Sequence, residues 1–363
     1  MSRCPTVLLL LPLLFGCGTS GPAHRPGEDR YGGIFNFNET EALRSLFPLR
    51  ITQVSEQRIA AQVYEGLVKF DARDMEVKPC LADKWEVDSS GTVYTFHLRD
   101  GVNFQDDEAF PDGKGRKMTA ADVVHCFSAI CEKGVGDAAY GLFQDRVAGA
   151  NAYHDSGMKN EKVAGVTALD DRTVRIVLTR PCPDFLQYLA VPGCWIWPRE
   201  LDSFGPDLLR HAVGTGPFHM KASRPDEAIV LERNPHYWGR DAQGAPLPYL
   251  DGVRITMVPD KDKEVAEFIK GRLSMVTELS LETMGVLADN DWHARWIGAP
   301  DAAAVPLPML RRAFAVRAGL RRATVNICGL GHYELSLNGR KVGDQLLAPG
   351  WPKYDRTCLY ATY

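Results

Sequence analysis

The residues best placed to do chemistry stand at the start of the chain. Arg3 precedes an apolar run, Val7 to Phe15, and Leu14-Phe15-Gly16-Cys17 closes it. An apolar run too short to span a bilayer, then a small residue and a cysteine, is the pattern of a bacterial lipobox. Its thiol, on Cys17, takes a lipid before cleavage, and buried methylenes then hold the protein to a membrane. The alternative is an ordinary signal peptide with an incidental cysteine.

Elsewhere, spacing excludes more chemistry than it suggests. The chain has nine cysteines, but no CxxC pair and no cysteine–histidine set with zinc spacing. Cys80, Cys126, Cys131, Cys182, Cys194, Cys328 and Cys358 remain after the leader, an odd number, so one at least stays unpaired in an oxidising compartment. Cys182 and Cys194 can bridge; most of the others read as buried small apolar residues. The loop Gln105 to Lys117 is dense in charge, yet it lacks the alternating oxygen ligands and distal glutamate of a calcium loop and reads as solvated. No P-loop, GxSxG or HExxH is present. No metal and no cofactor is expected.

Composition sets the class. The chain has 363 residues, 45% hydrophobic and 24% charged, with a net charge of −4. That is a globular composition with room for two or three domains. Without a basic stripe, nucleic acid is not an expected partner. Beyond the leader no apolar run is long enough to cross a membrane.

The stretch from Ala61 to Cys131 is the best patterned. Ser55 can cap a helix that carries Ile59, Val63 and Leu67 on one face and ends near Gly66. Trp85 and Val87 alternate before a turn at Ser89-Ser90-Gly91, and Tyr94, Phe96 and Leu98 form the inner side of a half-buried strand. Thr119 with Asp122 starts a second helix whose Val123, Phe127, Ile130 and Cys131 face inward. A further hairpin, Val163 to Arg180, turns at Asp170-Asp171. Gly214-Thr215-Gly216 lets the backbone turn and approach closely, with Thr215 capping or crosslinking the turn.

These words also carry a resemblance. Tyr64-Glu65-Gly66-Leu67, Pro79-Cys80-Leu81-Ala82, Trp85, Tyr94 to Arg99, Gly101-Val102 and Thr119 to Val123 follow one another in the order and spacing of the family 5 solute-binding proteins. So do Gly214-Thr215-Gly216-Pro217-Phe218 and Leu231 to Trp238. The chain resembles these dipeptide- and oligopeptide-binding components of ABC importers as far as about Leu287. The resemblance implies a mixed α/β lobe of the periplasmic-binding-protein type over 31–290; the residues before it read as a leader (1–17) and a flexible tether rich in Gly, Pro and charge (18–30). It implies a peptide or similar small solute as ligand and an ABC permease as partner. It implies a place on the periplasmic or extracellular face of the cell envelope, held through the lipid. In relatives the segment Asn38 to Pro48 runs along the ligand cleft, so Glu39 and Arg44 are candidate contacts; two solvated loop charges are the alternative. The segment with Trp195 and Trp197 lies beside that cleft. Trp195 is a candidate for stacking on a ligand, buried core being the alternative, and Trp197 reads as core. The backbone of Gly214, Thr215 and Gly216 completes the candidate set.

From Asp291 the text changes. An Ala- and Pro-rich junction (291–308) leads into short alternating strands and an Asn338-Gly339 hairpin signal. Trp296-Ile297, Leu310 to Phe314, Gly329 to Gly331, Leu337-Asn338-Gly339, Pro349-Gly350-Trp351 and Tyr360 to Tyr363 resemble the N-terminal β-sandwich domain of bacterial α-L-rhamnosidases. The resemblance implies a partial all-β sandwich over 309–363, without that family's catalytic barrel and its acidic pair. The expectation is an incomplete, non-enzymatic solute-binding chain lacking the second lobe. The alternatives are an exported rhamnosidase-like fragment, or a fusion or assembly chimera without function.

Overall fold

The computed structural model describes residues 31–276, except 42, 73, 158–161, 205–210 and 225–226, together with the strand backbone at 326–328, 336–337, 340–341 and 360–362. The leader with Cys17, the tether 18–30 and the junction 291–308 lie outside the described residues.

In chain order the body runs β1 (Ile34–Glu39), α1 (Val54–Ala60), β2 (Glu65–Gly66), β3 (Val68–Phe70), β4 (Val77–Pro79), β5 (Ala82–Val87), β6 (Val93–Leu98), α2 (Ala120–Ile130), α3 (Ala150–Ser156), β7 (Val166–Asp170), β8 (Thr173–Val177), α4 (Phe185–Leu189), β9 (Trp195–Ile196), β10 (Phe218–Arg224), β11 (Ala228–Arg233), β12 (Gly252–Met257) and α5 (Lys261–Ile269). It is mixed α/β, with two four-stranded sheets ordered β5-β6-β8-β7 and β1-β12-β11-β10. The first is antiparallel throughout. In the second, β1 runs parallel to β12, and the chain between them builds the other sheet.

Periodicity decides the first sheet. Tyr94, Phe96 and Leu98 of β6 are buried while Val93, Thr95 and His97 are half-buried, the period of two that a one-sided sheet requires. The buried side meets α2, whose Val123, Phe127 and Ile130 are fully buried. Thr119 and Asp122 form the capping box expected of α2. Phe127 packs edge-on to Phe143 at 5.2 Å, and Tyr94 to Phe185 at 5.1 Å. The Val163 to Arg180 hairpin turns where expected, between Asp170 and Thr173.

The first helix departs from its pattern. It stops at Ala60, its N-cap is Gln53 rather than Ser55, and Glu65–Gly66 form a strand. The amides of Val63 and Tyr64 turn back to the Ala60 carbonyl, at 2.9 and 2.8 Å. The following residues then pair with Ile196 and Trp195 of β9. A non-local pairing outweighs a helical period of three residues.

Two further expectations are corrected. Cys182 and Cys194 are not bridged; with Cys80, Cys126 and Cys131 they are free thiols, and all but Cys182 are buried. The charge-dense loop is not simply solvated, since Gln105 is 2% exposed. Its amide group donates to the carbonyls of Val63, Gly216 and Phe218 at 3.3, 3.1 and 2.7 Å, and its oxygen accepts from Gly214 N–H.

In the C-terminal stretch β13 (Asn326–Cys328) pairs with β16 (Tyr360–Thr362), and β14 (Ser336–Leu337) with β15 (Arg340–Lys341), both antiparallel. The second pair flanks the Asn338-Gly339 signal; residues 338 and 339 lie outside the described residues.

Candidate functional site

The candidate residues fall into two groups, joined by α1. The first surrounds the N-terminal half of that helix. Glu56 is fully buried, and its carboxylate accepts from four backbone amides: Arg44 and Ser45 at 2.8 and 3.1 Å, Thr52 and Gln53 at 3.0 and 3.1 Å. One side chain therefore fixes both the 44–45 and the 52–53 segments; in sequence it shows only as the third residue of a short helix. Glu39, at the end of β1, is buried and ion-paired to Arg58 of α1. Arg44 is exposed. Beside this group lies an open groove of about 270 Å³, lined among others by Leu49, Thr52, Val54, Gln57, Leu142 and Pro192. Val54 stands 71% exposed at its edge.

The second group surrounds residues 62–66. Trp195 is 8% exposed and stacks on Tyr64, ring centroids 6.4 Å apart and planes 12° apart. Its indole edge lies over Gly66, where a Cβ would sit 3.3 Å from it. Trp197 is core as expected, 1% exposed. Gly214 and Gly216 press directly on the backbone of Gln62 to Tyr64, and Gly216 N–H donates to the Val63 carbonyl at 2.9 Å. Thr215 crosslinks: its hydroxyl donates to Glu65 at 2.8 Å.

Glu65 was not among the candidates, yet it organises this group. It is 7% exposed and receives, besides Thr215, the hydroxyl of Tyr237 at 2.9 Å, the indole N–H of Trp238 at 2.8 Å and the thiol of Cys80 at 3.7 Å. Arg99 lies over the Trp238 ring, 4.5 Å from its centroid, and donates to the Cys80 carbonyl. Burial holds the Glu65 carboxyl above the ordinary carboxylate range, opposed by the hydrogen bonds from Trp238, Thr215 and Tyr237. The available signal was an acid set in the apolar run Val63 to Val68. Thus Tyr64-Glu65-Gly66, Gly214-Thr215-Gly216 and Tyr237-Trp238 meet at one carboxylate.

Among the described residues no group of three or more His, Cys, Asp or Glu side chains is placed to hold a metal ion. No described helix is long and apolar enough to cross a membrane.

Comparison with known proteins places this frame. Residues 76–296, more than half of the chain, match the model of the bacterial extracellular solute-binding proteins, family 5 middle region. The chain belongs to this family. Among curated relatives, the dipeptide-binding protein DppE of Bacillus subtilis is 29% identical over 271 residues, 72% of this chain and 46% of its own length. The dipeptide-binding protein of Escherichia coli is 32% identical over 221 residues, covering 59% of this chain and 38% of its own. The chain thus spans less than half the length of these two relatives. Among solved structures, the periplasmic binding protein DppA of Helicobacter pylori in complex with the peptide STSA superposes with a TM-score of 0.61 at 26% identity, over 72% of this chain and 50% of that one. Residues 318–363 match the N-terminal domain model of α-L-rhamnosidases.

Proposed function

We propose that this chain is a substrate-binding component of an ABC importer for peptides or similar solutes, displayed on the outer face of the membrane through a lipid on Cys17 and presenting its ligand to a permease. The observation that carries the reading is the likeness of the described body to a peptide-binding protein solved with its peptide. The groove beside α1 is a wall of the proposed solute site, and Glu39, Arg44, Trp195 and the Gly214–Gly216 backbone are candidate contacts outside its lining. Of these side chains Arg44 is the exposed one, suited to meet a carboxylate. Trp195 acts mainly by holding Tyr64 and Gly66 in place, since little of it reaches solvent.

Calorimetry of the full chain with di- to pentapeptides is expected to show binding. Val54→Glu, a change at an exposed position of the groove, should weaken it about tenfold, an effect of ~1.4 kcal/mol. Silence toward every peptide overturns the ligand class, and unchanged affinity in the variant overturns the groove as part of the site.

The anchor has its own test. Cys17→Ser should release the protein into a soluble extracytoplasmic fraction. Unchanged membrane retention removes the lipid from the account.

The match over 318–363 favours one second reading, an exported carbohydrate-active protein. Titration with rhamnose-containing oligosaccharides tests it, and binding to these but not to peptides would make it the better reading.

A further inference from the structure

One buried ionisable group takes no part in the solute wall itself. Glu65 sits in strand β2, and the donors around it come from three separate places: Cys80 before β5, Thr215 before β10, and Tyr237 with Trp238 after β11. We propose that Glu65 is a proton-linked latch: one shared carboxylate ties β2 to the 214–216 turn and to Tyr237-Trp238, and the fold takes up a proton there as it forms.

Burial without a paired cation and the hydrogen bonds pull in opposite directions. An ionised carboxylate only accepts, and here all four donors point at it while 7% of the residue meets solvent. No cation forms an ion pair with it among the described residues. The nearby charges are Lys69, which is exposed, and Arg99, which is engaged by the Trp238 ring and the Cys80 carbonyl. The other titratable neighbours, Cys80 and Tyr237, are both kept protonated by burial. Desolvation therefore outweighs the hydrogen bonds, and folding shifts the group toward its neutral acid relative to the unfolded chain. The site can accept that acid, because the hydroxyls of Thr215 and Tyr237 can turn from donor to acceptor.

A group favoured in its protonated form by the native state contributes stability that is complete below the unfolded glutamate value. That contribution is lost as pH rises through the higher native value. Exposed carboxylates such as Asp88, Asp100 and Asp170, held low by side-chain and backbone hydrogen bonds, act in the opposite direction, so the latch is read by difference.

The test melts the full chain and its Glu65→Gln variant across pH 4.5–8. The expected result is a Tm difference that widens in favour of the variant as pH rises. Parallel profiles overturn the proposal. Because the variant can fail to fold, carboxyl-carbon NMR of the glutamate-labelled wild type and Tyr237→Phe supplies a second readout. Tyr237→Phe removes a donor to the anion, so one carboxyl midpoint, already above the ordinary range, should move higher. A protein in which no glutamate titrates above that range, or in which Tyr237→Phe moves none, has no latch. Neither outcome depends on peptide binding.

Discussion

Gly214→Ala is expected to destabilise the body by about 3–5 kcal/mol, or to prevent folding. An added Cβ would lie 2.2 Å from the Val63 carbonyl oxygen and 2.9 Å from Tyr64 Cα. Both are backbone atoms, so no rotamer change relieves the contact. The glycine cannot simply slide away, because Gln105 clamps it from two sides: its backbone N–H donates to the Gly214 carbonyl at 2.9 Å and its side-chain oxygen accepts from Gly214 N–H at 3.1 Å. Relief would break hydrogen bonds worth about 1 kcal/mol each, and each buried group left unpaired adds about 1–3 kcal/mol. Gly141→Ala is the control, since nothing lies within 4 Å of its added carbon and its φ is not positive. Urea titration with a constant m-value checks both. A Gly214→Ala protein within about 1 kcal/mol of wild type would show that the 62–66 segment yields more readily than its contacts indicate.

The same contacts show what the sequence could and could not tell. The inner side of β6, the capping box of α2 and the hairpin of β7 with β8 were legible because their determinants lie within a few residues of one another. The end of α1 was not. Ile59, Val63 and Leu67 keep a helical interval, and only the pairing of Glu65 and Gly66 with β9 shows why the helix must stop. The roles of Glu65 and Gln105 were hidden for the same reason: the Glu65 partners Thr215 and Trp238 lie 150 and 173 residues away, and the Gln105 partner Phe218 lies 113 away. A buried acid or amide with distant partners looks in sequence like an ordinary polar residue. Family resemblance reached part of this by supplying the motifs, Glu65 among their residues, although not its role as the carboxylate at which they meet. Arg44 and Glu39 illustrate the remaining gap. Both were candidates on the same ground, and the fold gives Glu39 an ion pair while leaving the Arg44 side chain exposed.

Arg116→Ala is expected to cost about 3–5 kcal/mol, because it leaves a buried charge behind. The guanidinium donates to both oxygens of Asp122, at 2.9 and 2.6 Å, and to both oxygens of Glu200, at 2.7 and 2.9 Å. The Asp122 side chain is 2% exposed. It also caps α2, accepting from the amide and the hydroxyl of Thr119 at 2.9 and 3.2 Å. Without Arg116 that carboxylate keeps the cap but loses its counter-charge where water cannot replace it. The loop whose other end carries Gln105 loses its tie to α2 and to the 199–204 segment at the same step. Arg116→Lys keeps the charge but not the planar fork that serves two carboxylates, so it should recover less than half of the loss. The double change Arg116→Met with Asp122→Asn removes both charges and should recover more than the lysine does, since breaking a buried pair costs more than replacing it. Urea unfolding of the three variants orders them. If Arg116→Ala lies within about 1 kcal/mol of wild type, the pair behaves as a surface contact despite its burial.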